Sequence, residues 1–191
     1  GFDGSPAVGE LAVLPALRAI GVRRLDAVAL SHPHPDHFGG LRAVLREIDV
    51  AEIWTNGEPC LHAACADLFD LAASRAIPVR RPRTIEAGGA RVEPLYPLPA
   101  HDPHLGTNDN SMVLRVSAHG RHVLLTGDLE GEGEILMAAS AGSAARADVL
   151  KVPHHGSRSS STDELLDTVR PGLAIVSAGA GNRFGFPHPE V

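Results

Sequence analysis

Three histidines and one carboxylate fall within six consecutive residues of this chain. They are His32, His34, Asp36 and His37, and they follow the apolar run 25–30, which predicts a buried strand. Imidazole and carboxylate are the ligands that suit zinc, manganese and iron. Surface histidines in a proline-rich loop are the alternative interpretation, but so dense a cluster directly after an apolar strand favours a metal site.

The residues between these ligands indicate how the loop presents them. Two prolines hold its first part extended, so that His32 and His34 can point the same way. Asp36 and His37 then begin a tighter turn, from which they can reach a second metal beside the first. Two glycines next allow the chain to pass close to the metals before a helix predicted over 41–48.

Composition places the chain among ordinary globular proteins. Its 191 residues suit one domain, with 43% hydrophobic and 21% charged residues. No apolar run approaches the roughly 20 residues that span a bilayer. The net charge of −6 offers no broad electrostatic footprint for nucleic acid, although two bound divalent cations would reverse the sign locally. The chain begins at Gly1 without methionine, so we expect it to be part of a longer protein.

Hydrophobic periodicity predicts helices alternating with strands, and therefore a layered α/β fold with a mixed sheet or two sheets. Glycine pairs and tight turns also predict hairpins. The predicted helices are 8–20, 41–48, 59–76, 130–141 and 163–169, and the main predicted strands are 25–31, 51–55, 111–117, 122–126, 148–152 and 173–177. Within the helix 59–76, Cys60 and Cys65 are five residues apart and are poor evidence for a disulfide. We interpret His62 of the same helix as a surface or packing residue.

Polar clusters recur where apolar strands end, which is typical of an active site on a rigid scaffold. Asp128 closes one strand and precedes a helix; alone it could be an N-cap, but beside a metal loop a carboxylate that bridges two cations is the better interpretation. His154 and His155 follow another strand and can divide their roles between metal and substrate. The segments 108–111 and 182–188 are the remaining clusters.

Taken together, these motifs resemble the metallo-β-lactamase superfamily, which implies an αββα sandwich with a two-metal site at one edge. The segments 108–111, 124–128, 150–157 and 177–189 more narrowly resemble the ComEC family of competence DNA-internalisation proteins. The resemblance covers nearly the whole chain and implies one domain over 1–191, truncated at both ends.

The resemblance also implies a role for each motif residue. The implied metal ligands are His32 and His34 for metal one, Asp36, His37 and His155 for metal two, and Asp128 as the bridge. The implied catalytic residues are Asp36, His154 and His188. The implied substrate contacts are Asn108, Ser111, Gly156, Ser157, Asn182 and Arg183. The reverse assignment of His154 and His155 stays open.

Two positions depart from the family pattern. The superfamily commonly supplies a further histidine to metal one, where this chain offers Asn108 as a weak ligand or a substrate contact. Relatives in this branch often have a histidine where Phe186 stands, which leaves His188 as the imidazole of the last loop.

The resemblance implies a metal-dependent phosphodiesterase, a nuclease that degrades one DNA strand during uptake through a hydroxide held between two manganese or zinc ions. The implied partners are single-stranded DNA and the rest of a membrane DNA-translocation protein, which would tether this domain to the outer face of the cytoplasmic membrane. One alternative is a hydrolase of esters, thioesters or lactones. Another is a non-catalytic DNA-binding module whose metal site has decayed at Asn108.

Overall fold

The structure, a computed structural model, describes residues 8–191, which form two compact α/β units that meet in sequence between Arg81 and Pro82. Each unit has its own apolar core. Among the described residues, no helix combines the length and the apolar character that crossing a bilayer requires. The single-domain organisation expected from the sequence stays a prediction.

The N-terminal unit contains short parallel strands and short helices. Its strands are β1 (Arg24–Leu25), β2 (Val28–Leu30), β3 (Asp49–Val50), β4 (Ile53–Thr55) and β5 (Val79–Arg80). β1 pairs with β3, and a second sheet has the order β2-β4-β5. A π-helical turn (Gly9–Val13) leads into α1 (Leu14–Ala19), and the other helices are α2 (Pro35–Phe38), α3 (Leu41–Glu47) and α4 (Ala63–Ser74).

The start of α3 is fixed by a close backbone contact. A Cβ on Gly9 would collide with the Gly40 carbonyl, and a Cβ on Gly40 would lie 3.2 Å from the Gly9 nitrogen. The sequence suggested that the glycines after the metal loop serve its approach to the metals. The structure gives Gly40 this packing role, and the contact anchors the end of the loop that carries the candidate ligands. The close approach of the glycines to metals stays a prediction.

The predicted helix over 59–76 and the expectation about its cysteines are both corrected. The helix begins only at Ala63, with His62 as its N-cap residue, whose Nδ1 accepts a hydrogen bond from the Ala64 N–H. Cys60 therefore lies in the non-helical segment before the helix. From there it reaches back to Cys65 across a Cα–Cα distance of 5.6 Å, and the two form a disulfide.

The C-terminal unit is built on one six-stranded mixed sheet of order β11-β10-β9-β8-β7-β6. These strands are β6 (Ile85–Ala87), β7 (Ala90–Tyr96), β8 (Val113–Ala118), β9 (Arg121–Leu125), β10 (Val149–Lys151) and β11 (Leu173–Ile175). The helices are α5 (Gly131–Ala141) and α6 (Asp163–Val169), with 3₁₀ turns at Gly142–Ala145 and Pro153–Gly156. Both predicted hairpins, β6-β7 and β8-β9, are confirmed.

Because β9, β10 and β11 are parallel neighbours, their carboxyl ends lie at the same edge of the sheet. Polar segments leave the sheet at this edge, after Leu125, Lys151 and Ile175. Glu134 of α5 fixes the start of α6, since its buried carboxylate accepts the backbone N–H groups of Ser161 and Thr162, each at 2.7 Å.

Candidate metal centre

The loop after β2 brings its histidine rings together. His32 is fully buried, and its Nε2 lies 3.1 Å from Nδ1 of His34, with ring centroids 4.7 Å apart. The extended backbone of His34 (φ −84°, ψ 147°) sets this convergence before α2 begins at Pro35. Two facing imidazole nitrogens form a donor pair that a cation can share.

The Ser31 hydroxyl orients the rings of His32 and His37. Its Oγ lies 3.1 Å from Nδ1 of His32 and 3.2 Å from Nδ1 of His37. With Nδ1 held in this way, Nε2 is the nitrogen of each ring that would bind a metal, since outer hydrogen bonds set the orientation of histidine ligands. On α2, Nε2 of His37 lies 3.6 Å from Oδ2 of Asp36, so one turn offers both an imidazole and a carboxylate.

In the C-terminal unit, Asp128 lies just past the end of β9 and is only 2% exposed. Its backbone N–H donates to the Ser111 Oγ at 2.9 Å. Lys151 lies beside its carboxylate: Nζ donates to the Gly127 carbonyl at 2.6 Å and lies 3.4 Å from Oδ1 of Asp128. A buried carboxylate supported in this way is held in one orientation.

The N-cap interpretation of Asp128 is wrong. α5 begins at Gly131, and Glu130 occupies the N-cap position without a side-chain capping bond. The cap comes from another segment: Oδ1 of Asp109 accepts the N–H groups of Glu130 at 3.2 Å and Gly133 at 2.8 Å. Asp128 therefore lies before the N-cap position of α5.

The turn after β10 is strained. His154 (φ 42°), His155 (φ 55°) and Gly156 (φ 82°) are three consecutive residues in the left-handed region. Strain of this kind, of order 1 kcal/mol or more at each non-glycine residue, concentrates at functional sites. Gly156 is required here, because a Cβ would lie 2.6 Å from Cβ of Pro187.

The turn gives its two histidines different partners. Nδ1 of His155 lies 2.6 Å from the Ser177 carbonyl, which can only accept, so the proton is on Nδ1. Nε2 of His155 then carries the lone pair and lies 3.4 Å from Oδ2 of Asp128, so these two atoms could bind the same cation. His154 is instead paired through Nδ1 with Glu130 Oε1 at 3.0 Å. This geometry favours His155 over His154 as the ligand.

The other proposed substrate contacts have mainly structural partners. Ser111 is fully buried beneath Asp128, and Ser157, only 9% exposed, donates its N–H to the His154 carbonyl. Buried Gly156 accepts the His188 N–H. The side chain of Asn182 is used within its own loop, where it makes four hydrogen bonds to backbone groups. These residues shape the site and its borders.

Arg183 and His188 keep side chains that can act on a substrate. The Arg183 guanidinium lies over the exposed ring of Phe184. The ring of His188 packs against Phe186, which also contacts the ring of His154. The last loop therefore borders the strained turn.

Asn108 provides a direct test of whether the chain fits a cation. Its side-chain Oδ1 is buried and has no hydrogen-bond partner among residues 8–191. An amide oxygen in that state is available to a cation or a substrate hydroxyl. The ligand atoms of Asp36 and His37 lie within 4.8 Å of each other, as do those of Asp128 and His155. Imidazole and carboxylate donors at this spacing fit divalent zinc or manganese.

Sequence reasoning missed three supporting residues. Lys151 is the single lysine of the chain, and a lone cation next to a strand-end histidine pair is a signal that could have indicated its role. Glu130 lies two residues after Asp128 and orients His154. Asp109 caps α5 from a distant segment, and no local pattern predicts that contact.

Comparison with known proteins identifies the family. A model described as the metallo-beta-lactamase superfamily matches residues 1–180. ComE operon protein 3 of Bacillus subtilis is 33% identical over 192 residues, covering 96% of this chain and 24% of that protein. Competence protein ComA of Neisseria gonorrhoeae is 34% identical over 191 residues, covering 100% of this chain and 25% of that protein. The chain thus spans about a quarter of the length of these curated relatives.

A solved structure supports the fold. CmlA, a diiron β-hydroxylase from Streptomyces venezuelae, superposes with a TM-score of 0.52 at 14% identity, over 82% of this chain and 36% of that chain. At this identity the likeness concerns the fold alone. The predicted α/β class and the resemblance to competence proteins are confirmed. The chain belongs to the metallo-beta-lactamase superfamily.

Proposed function

We propose that this chain is a metal-dependent phosphodiesterase that cleaves DNA, acting on one strand during DNA uptake. The observation that carries the proposal is the pair of ligand clusters, one after β2 and one at the carboxyl ends of β9 and β10, in a chain of this superfamily. Curated relatives named as competence proteins supply the link to DNA.

The ligand assignment is part of the same proposal. His32 and His34 would hold one cation, Asp36, His37 and His155 would hold a second, and Asp128 would be a ligand shared by both. Bound manganese or zinc would supply Lewis acidity to the phosphate and would lower the pKa of an attacking water. The buried amide oxygen of Asn108, which has no hydrogen-bond partner among residues 8–191, would serve as a weak further ligand or as a substrate contact.

The chain itself positions the reacting groups. Asp36, whose side chain is 37% exposed, accepts a proton from the attacking water and orients it. Glu130 holds the Nδ1 proton of His154 and so turns Nε2 toward a phosphate oxygen. When it is protonated, Nε2 donates to the leaving oxygen, and His188 is a second candidate donor.

The surface charge gives the proposal a further requirement. At a net charge of −6, the chain as a whole repels a phosphate backbone, so bound cations must create the local attraction. Arg183, on the last loop, adds positive charge next to the strained turn. We therefore expect DNA binding to require metal. We also propose that the chain acts within a larger membrane DNA-translocation protein that tethers it at the outer face of the cytoplasmic membrane.

Cleavage of labelled single-stranded and double-stranded DNA, with manganese, zinc or magnesium added, tests the proposal. We expect the parent to cleave and both Asp36→Ala and Asp128→Ala to lose activity by at least 100-fold, because each removes a ligand or proton acceptor that acts in the reaction. Asp70→Ala is the matched control, since Asp70 is an exposed carboxylate on α4. Its activity should equal that of the parent.

Three results would count against the proposal. If both aspartate variants cleave as well as the parent, the assigned mechanism is wrong. If a thioester or lactone is turned over rapidly while DNA is left intact, the chain is a carbonyl hydrolase. If the purified chain neither contains nor binds manganese or zinc, it is a non-catalytic module.

A further inference from the structure

A row of stacked rings extends from the histidine turn along the last loop. The Phe186 ring lies 6.4 Å from the His155 ring with an interplanar angle of 21°, and the Phe184 ring lies 5.3 Å from Phe186 at 19°. The guanidinium carbon of Arg183 lies 4.8 Å from the centroid of Phe184. Three nearly parallel rings thus form a row that begins at a candidate metal ligand, with the Arg183 guanidinium near its outer end.

The loop holds this stack in place through Asn182. The Oδ1 of Asn182 accepts the N–H groups of Phe184 at 3.2 Å and Phe186 at 2.9 Å, and its Nδ2 donates to the carbonyls of Gly179 and Phe186. The His188 N–H also donates to Gly156 and ties the loop to the strained turn. The rings are therefore ordered before any ligand arrives.

The outer ring is exposed to solvent. Phe184 is 55% exposed, and a single exposed apolar residue on a protein surface is ordinary. Here the exposed Phe184 ring stacks on Phe186, which in turn stacks on His155, a candidate metal ligand. The Arg183 guanidinium lies over the Phe184 ring. Aromatic rings and arginine planes in a positively charged setting are the groups on which unpaired bases stack.

We propose that Arg183, Phe184 and Phe186 form a stacking platform for one unpaired nucleobase next to the phosphodiester bond that is cleaved. This inference rests on the proposed nuclease function and adds a contact that selects for an unpaired base, because bases inside a duplex stack on each other and leave no free face. It also gives a function to Phe186, the ring that lies between His155 and Phe184 in this row.

The test couples a protein change to a substrate change. Metal-loaded parent and Phe184→Ala are each assayed for cleavage of a single-stranded oligonucleotide and of a series in which one base at a time is missing. Loss of one base–ring stack corresponds to a roughly 5- to 150-fold effect. For the parent, we expect kcat/KM to fall by that factor when the base at one position beside the cleavage point is missing. For Phe184→Ala, the missing base should cause little further loss of kcat/KM, since the two changes remove the same contact.

Two further variants separate stacking from folding. Phe184→Trp keeps an aromatic face and should restore the penalty for the missing base. Ile135→Ala removes from α5 an apolar side chain that is 48% exposed. This variant should keep the penalty of the parent. Thermal melts and sedimentation of each variant verify folding and oligomeric state.

The outcomes distinguish the two proposals. If the parent cleaves DNA but Phe184→Ala shows the same abasic penalty as the parent, the platform is overturned and the nuclease remains. The same conclusion holds if Phe184→Ala changes only the oligomeric state, because the ring then serves a protein contact. If the metal-loaded parent cleaves no oligonucleotide, both proposals fall.

Discussion

Ser111→Ala tests the claim that the candidate centre depends on support beneath Asp128. The Ser111 hydroxyl is fully buried and accepts the Asp128 N–H at 2.9 Å. Alanine leaves that buried donor without its partner, which costs about 1–3 kcal/mol of unfolding free energy. For a chain of this size, 1 kcal/mol shifts Tm by roughly 2–4 °C, so we expect the metal-free variant to melt about 2–12 °C lower.

The same substitution should weaken metal binding. Removing a group that orients a ligand typically costs 10–100-fold in metal affinity or activity. We therefore expect Ser111→Ala to bind manganese or zinc about 10–100-fold more weakly, measured by calorimetric titration, with the unfolding of the metal-free chain followed separately by circular dichroism. Separate measurements distinguish general destabilisation from loss of ligand orientation.

Ser140→Ala is the matched control for this experiment. Ser140 lies on the exposed face of α5, and its hydroxyl donates to the Met137 carbonyl of its own helix. The chemical change is identical, but no buried group loses a partner, so Tm and metal affinity should equal those of the parent. The reasoning is refuted if Ser111→Ala matches the parent in both quantities.

Three further variants test the surrounding structure. Glu134→Gln should lower the unfolding free energy in urea by about 1–3 kcal/mol, because its amide NH₂ cannot accept one of the two N–H groups before α6; a stability equal to that of the parent would contradict this. Arg121 and a backbone N–H lower the pKa of Asp148, so this carboxylate stabilises the fold above its ordinary pKa of 3.8. The deficit of Asp148→Asn should therefore be present at pH 7 and disappear as the pH falls through the lowered pKa; a deficit independent of pH would contradict this. Replacing Cys60 and Cys65 by serine opens a short closed loop and should lower the unfolding free energy by about 2 kcal/mol, whereas equal stability would exclude a stabilising disulfide.

Local sequence patterns correctly predicted those structural elements that form mainly through their own residues. α6 has the predicted bounds, Asp163–Val169, and Thr162 caps it through a bond to the Leu165 N–H. The hairpin β8-β9 turns at His119-Gly120, where both residues have positive φ, as a tight turn requires. These features depend on hydrophobic period and turn chemistry, which the sequence displays directly.

Predictions were less accurate where distant contacts compete with local preference. The helix predicted over 59–76 begins about one turn later, because Cys60 lies outside the helix and pairs with Cys65. In place of the single helix predicted over 8–20, the structure has a π-helical turn followed by a short α-helix, with Gly9 packed on Gly40. Neither contact has a signature in the residues next to it.

For the candidate centre, residue types and their spacing were enough to name the side chains that could hold metals. Histidines and aspartates clustered after strands are visible as residue types and spacings, and so His32, Asp128 and His155 could be named without coordinates. How each side chain is oriented depends on contacts made in the folded chain. Ser111, which precedes β8, and Lys151, at the end of β10, hold Asp128, and Ser177 and Glu130 give the two neighbouring histidines different partners. The physical reason is that a hydrogen bond selects one nitrogen or oxygen over another at short range, between groups that only the folded chain brings together.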